Sequence, residues 1–387
     1  MVMMYKIPEA WGVLREPRTP ADKRKDVITL GRPHDEMFDW DTLFNDALRI
    51  DENRVLLIGP PLYELKSHVN FVEGNTPLKT DFVDRINVGL TVVHTSADRF
   101  TLSHPKESIE ITVNQRSTEF LGMGCMSTMQ KNEPMHWIAD WIQYHNKVHG
   151  VRGFIIYDNN SDNYTVEELQ AHLESLPLDI VVKVVPWNVP FGPHTPRWDS
   201  NFSQFTQLEH WKFKYAWCSD FAINQDIDEL LVTDGFTIAD VLQEIEDNMY
   251  PGVIYRTRNI DPYNERLGVA AYELDVEDRR FADYYYYSDY NNTNNTKVGR
   301  RLIDKWITIP RFSMNHQWAV HDFGYSFNNN SVKVTPEKGL YFCHMYAMQS
   351  KHKDKHPSFH DRNKHLVDLG ELKLDKALKE SLERAFK

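Results

Sequence analysis

Cysteine is scarce. Cys125, Cys218 and Cys343 are the only three in 387 residues, and all sit in apolar or strand-like surroundings. That excludes a disulfide framework and points to a reducing, cytoplasmic setting. No apolar run reaches membrane-spanning length and no signal-peptide pattern opens the chain, so at most peripheral membrane contact is expected. The sequons at Asn163, Asn201, Asn291, Asn294 and Asn329 therefore carry no weight. Basic residues are in deficit: 44 Lys and Arg against 56 Asp and Glu leave a net charge of −12, which argues against nucleic-acid binding through phosphate neutralisation. A glycine-rich phosphate loop is missing too, since Gly59-Pro60-Pro61 has neither the spacing nor the lysine. This counts against the alternative of a metal-dependent nucleotidyl or phosphoryl transferase. Aromatic residues, by contrast, make up 12%, with ten Trp. Most of them suit core packing; a share suits a sugar-binding cleft, which keeps a non-catalytic glycan-binding module in view.

The densest local signal is Gln225-Asp226-Ile227-Asp228-Glu229-Leu230-Leu231, after the strand-like run 220–224. Strand alternation sends Phe221, Ile223 and Ile227 to a core and puts Asp226 and Asp228 on the opposite face, converging on one point. Oxygen ligands so spaced suit a hard divalent ion, Mn²⁺ or Mg²⁺, shared with a substrate phosphate. Two upstream strand patterns, 124–129 and 151–157, also stop at polar clusters. Between them residues 134–149 carry Met135, Ile138, Trp141, Ile142 and Val148 at helical spacing. A second helix opens on the capping-box pair Thr165 and Glu168, and 178–185 is a buried β-branched run. Strand, helix, strand, helix, strand predicts an α/β, Rossmann-like, mostly parallel sheet flanked by helices, with ligands outside the carboxyl ends of its strands.

Lys131-Asn132-Glu133, Trp137-Ile138, Asp140-Trp141-Ile142-Gln143-Tyr144-His145 and Phe154-Ile155-Ile156-Tyr157-Asp158-Asn159-Asn160-Ser161-Asp162 resemble the opening of a GT-A-type nucleotide-sugar glycosyltransferase. The chain is most similar to glycosyltransferase family 92 and its bacterial relatives, over about residues 120–350, and Gln207 and Asp226-Ile227-Asp228-Glu229 match that family's Gln and Asp-x-Asp-Glu elements. The resemblance implies that Asn132, Glu133 and Asp158 contact the nucleoside, that Asn159 and Ser161 shape that end, and that Gln207 lies on the donor side. It implies Asp228 as main metal ligand, with Asp226 nearer the ribose or a metal-bound water. Among the late histidines, the family's Val-His pattern makes His321 first choice and its aromatic-His-Tyr element His344 second, with His316 a further candidate. A UDP-sugar donor, galactose first and N-acetylglucosamine or glucose behind, and a glycan or glycolipid acceptor are implied as well. Animal members carry an N-terminal membrane anchor, a feature not found in this sequence.

Inversion at the anomeric carbon requires a carboxylate to take the acceptor proton. Asp261 and Glu265, after the strand pattern 252–255, are both placed for that role, and the tyrosines of 284–290 offer aromatic faces to sugar rings. The basic tract 351–356 reads as a solvated turn. Residues 1–118 form a β-rich accessory region, with a helix expected at 41–48 and strands at 55–61, 86–94, 99–102 and 109–113. Residues 119–350 form the transferase domain, and 351–387 a basic turn and a docked C-terminal helix. Nothing in the sequence fixes the oligomeric state.

Overall fold

The computed structural model describes residues 2–16, 28–29, 32–192, 201–292, 302–324, 332–334, 338–348 and 371–387. The chain forms two compact units: unit 1 comprises 1–119, 157–160 and 185–218, and unit 2 comprises 120–156, 161–184 and 219–387. In chain order the elements used below are β1 (Thr42–Phe44), β2 (Asp46–Asp51), β3 (Arg54–Gly59), β4 (Asn70–Glu73), β5 (Thr76–Pro77), β6 (Thr80–Asp84), β7 (Gly89–His94), β8 (Arg99–Ser103), β9 (Ile109–Thr112) and β10 (Gly124–Gln130). Then come α1 (Met135–His149), β11 (Gly153–Asp158), α2 (Val166–Glu174), β12 (Val181–Pro186), α3 (Phe202–Lys214), β13 (Phe221–Asn224), β14 (Glu229–Thr233) and α4 (Ile238–Asn248). The last are β15 (Val253–Ile260), β16 (Asp304–Thr308), β17 (Val332–Val334), β18 (Leu340–Met345) and α5 (Lys376–Phe386).

Unit 1 holds two four-stranded sheets, β2-β3-β7-β6 and β9-β8-β4-β5. Leu43, Val55, Leu57, Phe71, Phe100 and Ile111 share one core, while Phe205 and Phe213 of α3 pack against Leu48, Leu56 and Ile58. The helix expected at 41–48 is instead β1 and the start of β2. Every residue from Thr42 to Leu48 is buried, on both faces, as a covered strand requires and an amphipathic surface helix does not allow.

Unit 2 is built on a nine-stranded sheet ordered β12-β11-β10-β13-β16-β15-β18-β14, with β17 beside β15. It is the large, mostly parallel, helix-flanked sheet the sequence predicts. β10 runs parallel to β13, and β15 parallel to β17 and β18, while β16 and β14 are antiparallel to their neighbours. Gly124 is required where β10 and β13 meet, because a Cβ there would strike the Phe221 ring. α1 buries Trp137, Ile138, Trp141, Ile142 and Tyr144 and stops at Gly150, whose φ of 68° is the left-handed cap glycine favours. α2 begins with the Thr165–Glu168 capping box. α5 starts at an Asp375 cap within the stretch expected to be helical, and the tract 351–356 lies outside the described residues. Among the described residues no helix is long and apolar enough to cross a membrane.

Candidate active site

β13 ends at Asn224, so Asp226 and Asp228 stand in a turn before β14 rather than on a strand face. Phe221, Ile223 and Ile227 enter the core as expected. The turn is tied from several sides. The Asp226 N–H donates to Glu229 Oε2 at 2.9 Å and the Glu229 N–H to Asp226 O at 3.1 Å. Met345 N–H donates to Asp228 O at 2.7 Å, and Trp141 Nε1–H to Glu229 O at 3.0 Å.

Each acid also meets a basic side chain. Lys305, fully buried on β16, places Nζ 3.1 Å from Asp226 Oδ2 and 3.2 Å from Glu229 Oε2. Burial alone would lower the Lys305 pKa, but the two carboxylates outweigh it and the pKa is raised, so the ammonium stays charged. Burial pushes Glu229 up, Asp226 and Asp228 add to that, and Lys305 opposes it. The Asp226 side chain remains 41% exposed, whereas that of Asp228 is 6% exposed and lies 3.4 Å from His344 Nε2. His344 is the next-to-last residue of β18, in register with Glu229 on one side and Asn259 on the other.

His321 follows Trp318-Ala319-Val320, a segment pinned by Trp306 Nε1–H to Ala319 O at 2.7 Å and Asn224 Nδ2–H to Val320 O at 3.0 Å. Its Nδ1 lies 3.0 Å from the Asp304 carbonyl, which can only accept. Nδ1 therefore carries the proton and Nε2 keeps a lone pair, the form a metal-ligating histidine takes. Desolvation and then the Lys305 ammonium lower its pKa, tempered by solvent because the residue is exposed, and the Asp226 carboxylate also acts on it. His316 sits in the turn after 310–313, its N–H donating to Ser313 O at 2.9 Å. Among the described residues no group of three or more His, Cys, Asp or Glu is already gathered as a metal cage. The donor chemistry fits a hard cation nonetheless: an exposed carboxylate, a second acid in the same turn, and an imidazole with its lone pair free of the proton.

The residues assigned to the nucleoside end divide between the units. In unit 2, Asn132 adopts a φ of 57°; its N–H donates to Ser161 Oγ at 2.8 Å and its Oδ1 accepts from Asp162 N–H at 2.8 Å. Gln130 accepts from Glu133 N–H at 3.2 Å and from the Tyr164 hydroxyl at 2.8 Å. In unit 1, Asp158, Asn159 and Gln207 are all buried, and Asn159 Nδ2 donates to the carbonyls of Trp187 and Val189 at 2.8 and 2.9 Å. Asn132 thus ties its loop to 161–162 within unit 2, and Asn159 ties its own loop to 187–189 within unit 1.

The two base candidates differ sharply. Asp261, just past β15, is fully buried, takes a hydrogen bond from Asn291 Nδ2, and donates its own N–H to Tyr286 O at 2.7 Å. Glu265 is exposed, with one oxygen 2.6 Å from the Tyr285 hydroxyl and the other 2.6 Å from that of Tyr286. Those hydrogen bonds hold its pKa below the ordinary carboxylate value, which makes it a poor proton acceptor.

Lys305 and the bracing role of Glu229 were not assigned from sequence. The available signal was a lysine within the apolar strand Lys305-Trp306-Ile307, where a charge has to be paired.

Glycosyltransferase family 92 matches residues 123–382. No curated protein matches the chain. Similar solved structures include the mannosyltransferase Ktr4p from S. cerevisiae, 15% identical over 37% of this chain and 40% of that one, with a TM-score of 0.24. Mouse xyloside xylosyltransferase 1 in its apo form is 15% identical over 51% of this chain and 69% of that one, with a TM-score of 0.25. The WbbM bifunctional glycosyltransferase, also apo, is 11% identical over 54% and 36%, with a TM-score of 0.26. The chain thus spans 40% of the length of the first of these, and at such TM-scores the likeness carries no argument.

Proposed function

Because the chain belongs to glycosyltransferase family 92, matched from residue 123 to 382, we propose that its sugar transfer uses a nucleoside diphosphate hexose, UDP-galactose first, and proceeds with inversion onto a glycan or glycolipid. The observation that carries this is the braced Asp226–Asp228 turn, whose Asp226 carboxylate acts electrostatically on His321, together with the His321 Nδ1–H bond to Asp304 O, which leaves Nε2 to ligate. Asp228, Asp226 and His321 would hold Mn²⁺ or Mg²⁺, with His344 behind Asp228. A bound divalent ion supplies charge neutralisation for the departing diphosphate.

The chain's own residues supply the remaining functions. Lys305 offsets one of three neighbouring carboxylates, so a divalent ion meets a pocket of moderate rather than extreme charge. Asn132 and Ser161 shape the nucleoside end, beside Glu133. For the acceptor proton Asp261 is the better candidate, because Glu265 has both oxygens engaged by tyrosine hydroxyls. Asp261 can act only when the Asn291 turn above it gives access. A cytoplasmic location and contact with a membrane surface through a glycolipid acceptor complete the proposal.

The test is release of UDP from a panel of UDP-hexoses with Mn²⁺ and candidate acceptors. Turnover that disappears in a folded Asp228→Ala protein supports the proposal. Nucleotide-independent glycan binding without turnover would favour a lectin instead.

A further inference from the structure

A buried chain of hydrogen bonds in unit 1 has no part in the chemistry above. Asp46 of β2, His210 of α3 and Tyr157 of β11 are all fully buried. His210 Nε2 lies 3.1 Å from Asp46 Oδ2, and His210 Nδ1 lies 2.7 Å from the Tyr157 hydroxyl. Asp46 is fixed in turn: its Oδ1 accepts from Ala47 N–H at 2.8 Å and from Asn114 Nδ2 at 2.6 Å, and Lys214 Nζ stands 3.8 Å from Oδ2. The Asp46 carboxylate can only accept, so Nε2 carries the proton and donates it in a hydrogen bond, Nδ1 is the acceptor and the Tyr157 hydroxyl donates to it. The order of donors is thereby set along the whole chain.

Tyr157 is the residue before Asp158. The same histidine packs against the scaffold of that strand end: the Trp187 ring is 5.2 Å from both the His210 and Tyr157 rings, the Trp187 backbone N–H donates to Asp158 O at 2.8 Å, and its carbonyl receives Asn159 Nδ2. With their polar atoms bonded to one another, these side chains act on a substrate through the backbone they hold.

We propose that Asp46, acting through His210 and Tyr157, is a positioning residue that sets Asp158 and so tunes affinity for the nucleoside end of the donor. This deepens the proposed function and rests on its assignment of Asp158 to the nucleoside. It gives the N-terminal β unit a part in donor recognition: β2 supplies the anchor of the strand end that reads the nucleotide. Three tethers act together, the hydroxyl of Tyr157, the backbone N–H of Trp187 and the side-chain amide of Asn159, and the first runs back through His210 to Asp46, before residue 119.

The experiment uses the full chain with Tyr157→Phe, which removes one hydroxyl and keeps the ring, and His210→Phe, which keeps aromatic packing but breaks both bonds. Each is expected to raise the donor KM, and the Kd for UDP with Mn²⁺, about tenfold while kcat and the acceptor KM stay within about twofold. His210→Gln, which can still donate to Asp46 and accept from Tyr157, is expected to recover most of the loss. The double variant Tyr157→Phe/His210→Phe should bind no worse than the weaker single, because both cut one link. Unchanged donor KM in a folded Tyr157→Phe protein, or loss spread equally over kcat and both KM values, overturns the inference. Failure of the wild type to bind any nucleoside diphosphate would instead remove the functional reading beneath it, so the two failures are separable.

Discussion

Acidification should destabilise unit 2 through one histidine. His145 of α1 is fully buried; its Nδ1 donates to Trp141 O at 2.8 Å, and its Nε2 accepts from Leu231 N–H at 3.3 Å. A proton on Nε2 would confront that N–H, and burial already pushes the imidazole down to about 3. In the unfolded chain the group titrates near its ordinary value of about 6.5. A pKa lowered on folding means that the folded protein binds fewer protons, so this stabilisation is complete above about 6.5 and is lost progressively as pH falls toward the folded value. Between pH 6.5 and pH 5 the loss is roughly 1.5 units at about 1.4 kcal/mol each, or about 2 kcal/mol. His149 is only half-buried and, although burial lowers it to about 4, adds less. Urea unfolding followed by circular dichroism at pH 7.5, 6.5 and 5 measures the total, and His145→Gln isolates the term because its amide can serve both partners without titrating. The variant should lose about 2 kcal/mol less than wild type across the window. Identical pH dependence in the two proteins would refute the assignment of a neutral, doubly bonded His145.

Removing the ammonium in Lys305→Met leaves Glu229 buried and uncompensated, which should cost about 3–5 kcal/mol in urea unfolding, whereas Lys305→Met/Glu229→Met should recover much of it. Asp261→Asn should lower kcat by about 10² or more if that carboxylate takes the acceptor proton, while Glu265→Gln should leave kcat within about threefold; the reverse pattern would exchange the two assignments.

Much of the fold was legible because unit 2 obeys simple periodicities. α1 shows a helical stripe and ends at Gly150, and α2 announces itself by Thr165 and Glu168. Segment 42–48 was not legible, because its apolar and polar residues are buried alike and no period survives. The Asp226–Asp228 turn was visible as a motif, but its bracing was not. Lys305 is about eighty residues away in sequence and meets Asp226 only because β16 lies beside β13 in the sheet. The late histidines could be ranked only by resemblance. It is the Asp304 carbonyl that fixes the His321 tautomer, and no local pattern encodes that contact.

The most direct test of the central claim is retention of Mn²⁺ by the protein, followed by the electron paramagnetic resonance signal of the free ion, with and without UDP. The expected result is tight retention only when UDP is present, abolished in Asp228→Asn and weakened in His321→Gln, with both variants folded. Retention that ignores UDP, or that survives Asp228→Asn unchanged, would contradict a cation held at the Asp226–Asp228 turn for the sake of a sugar nucleotide.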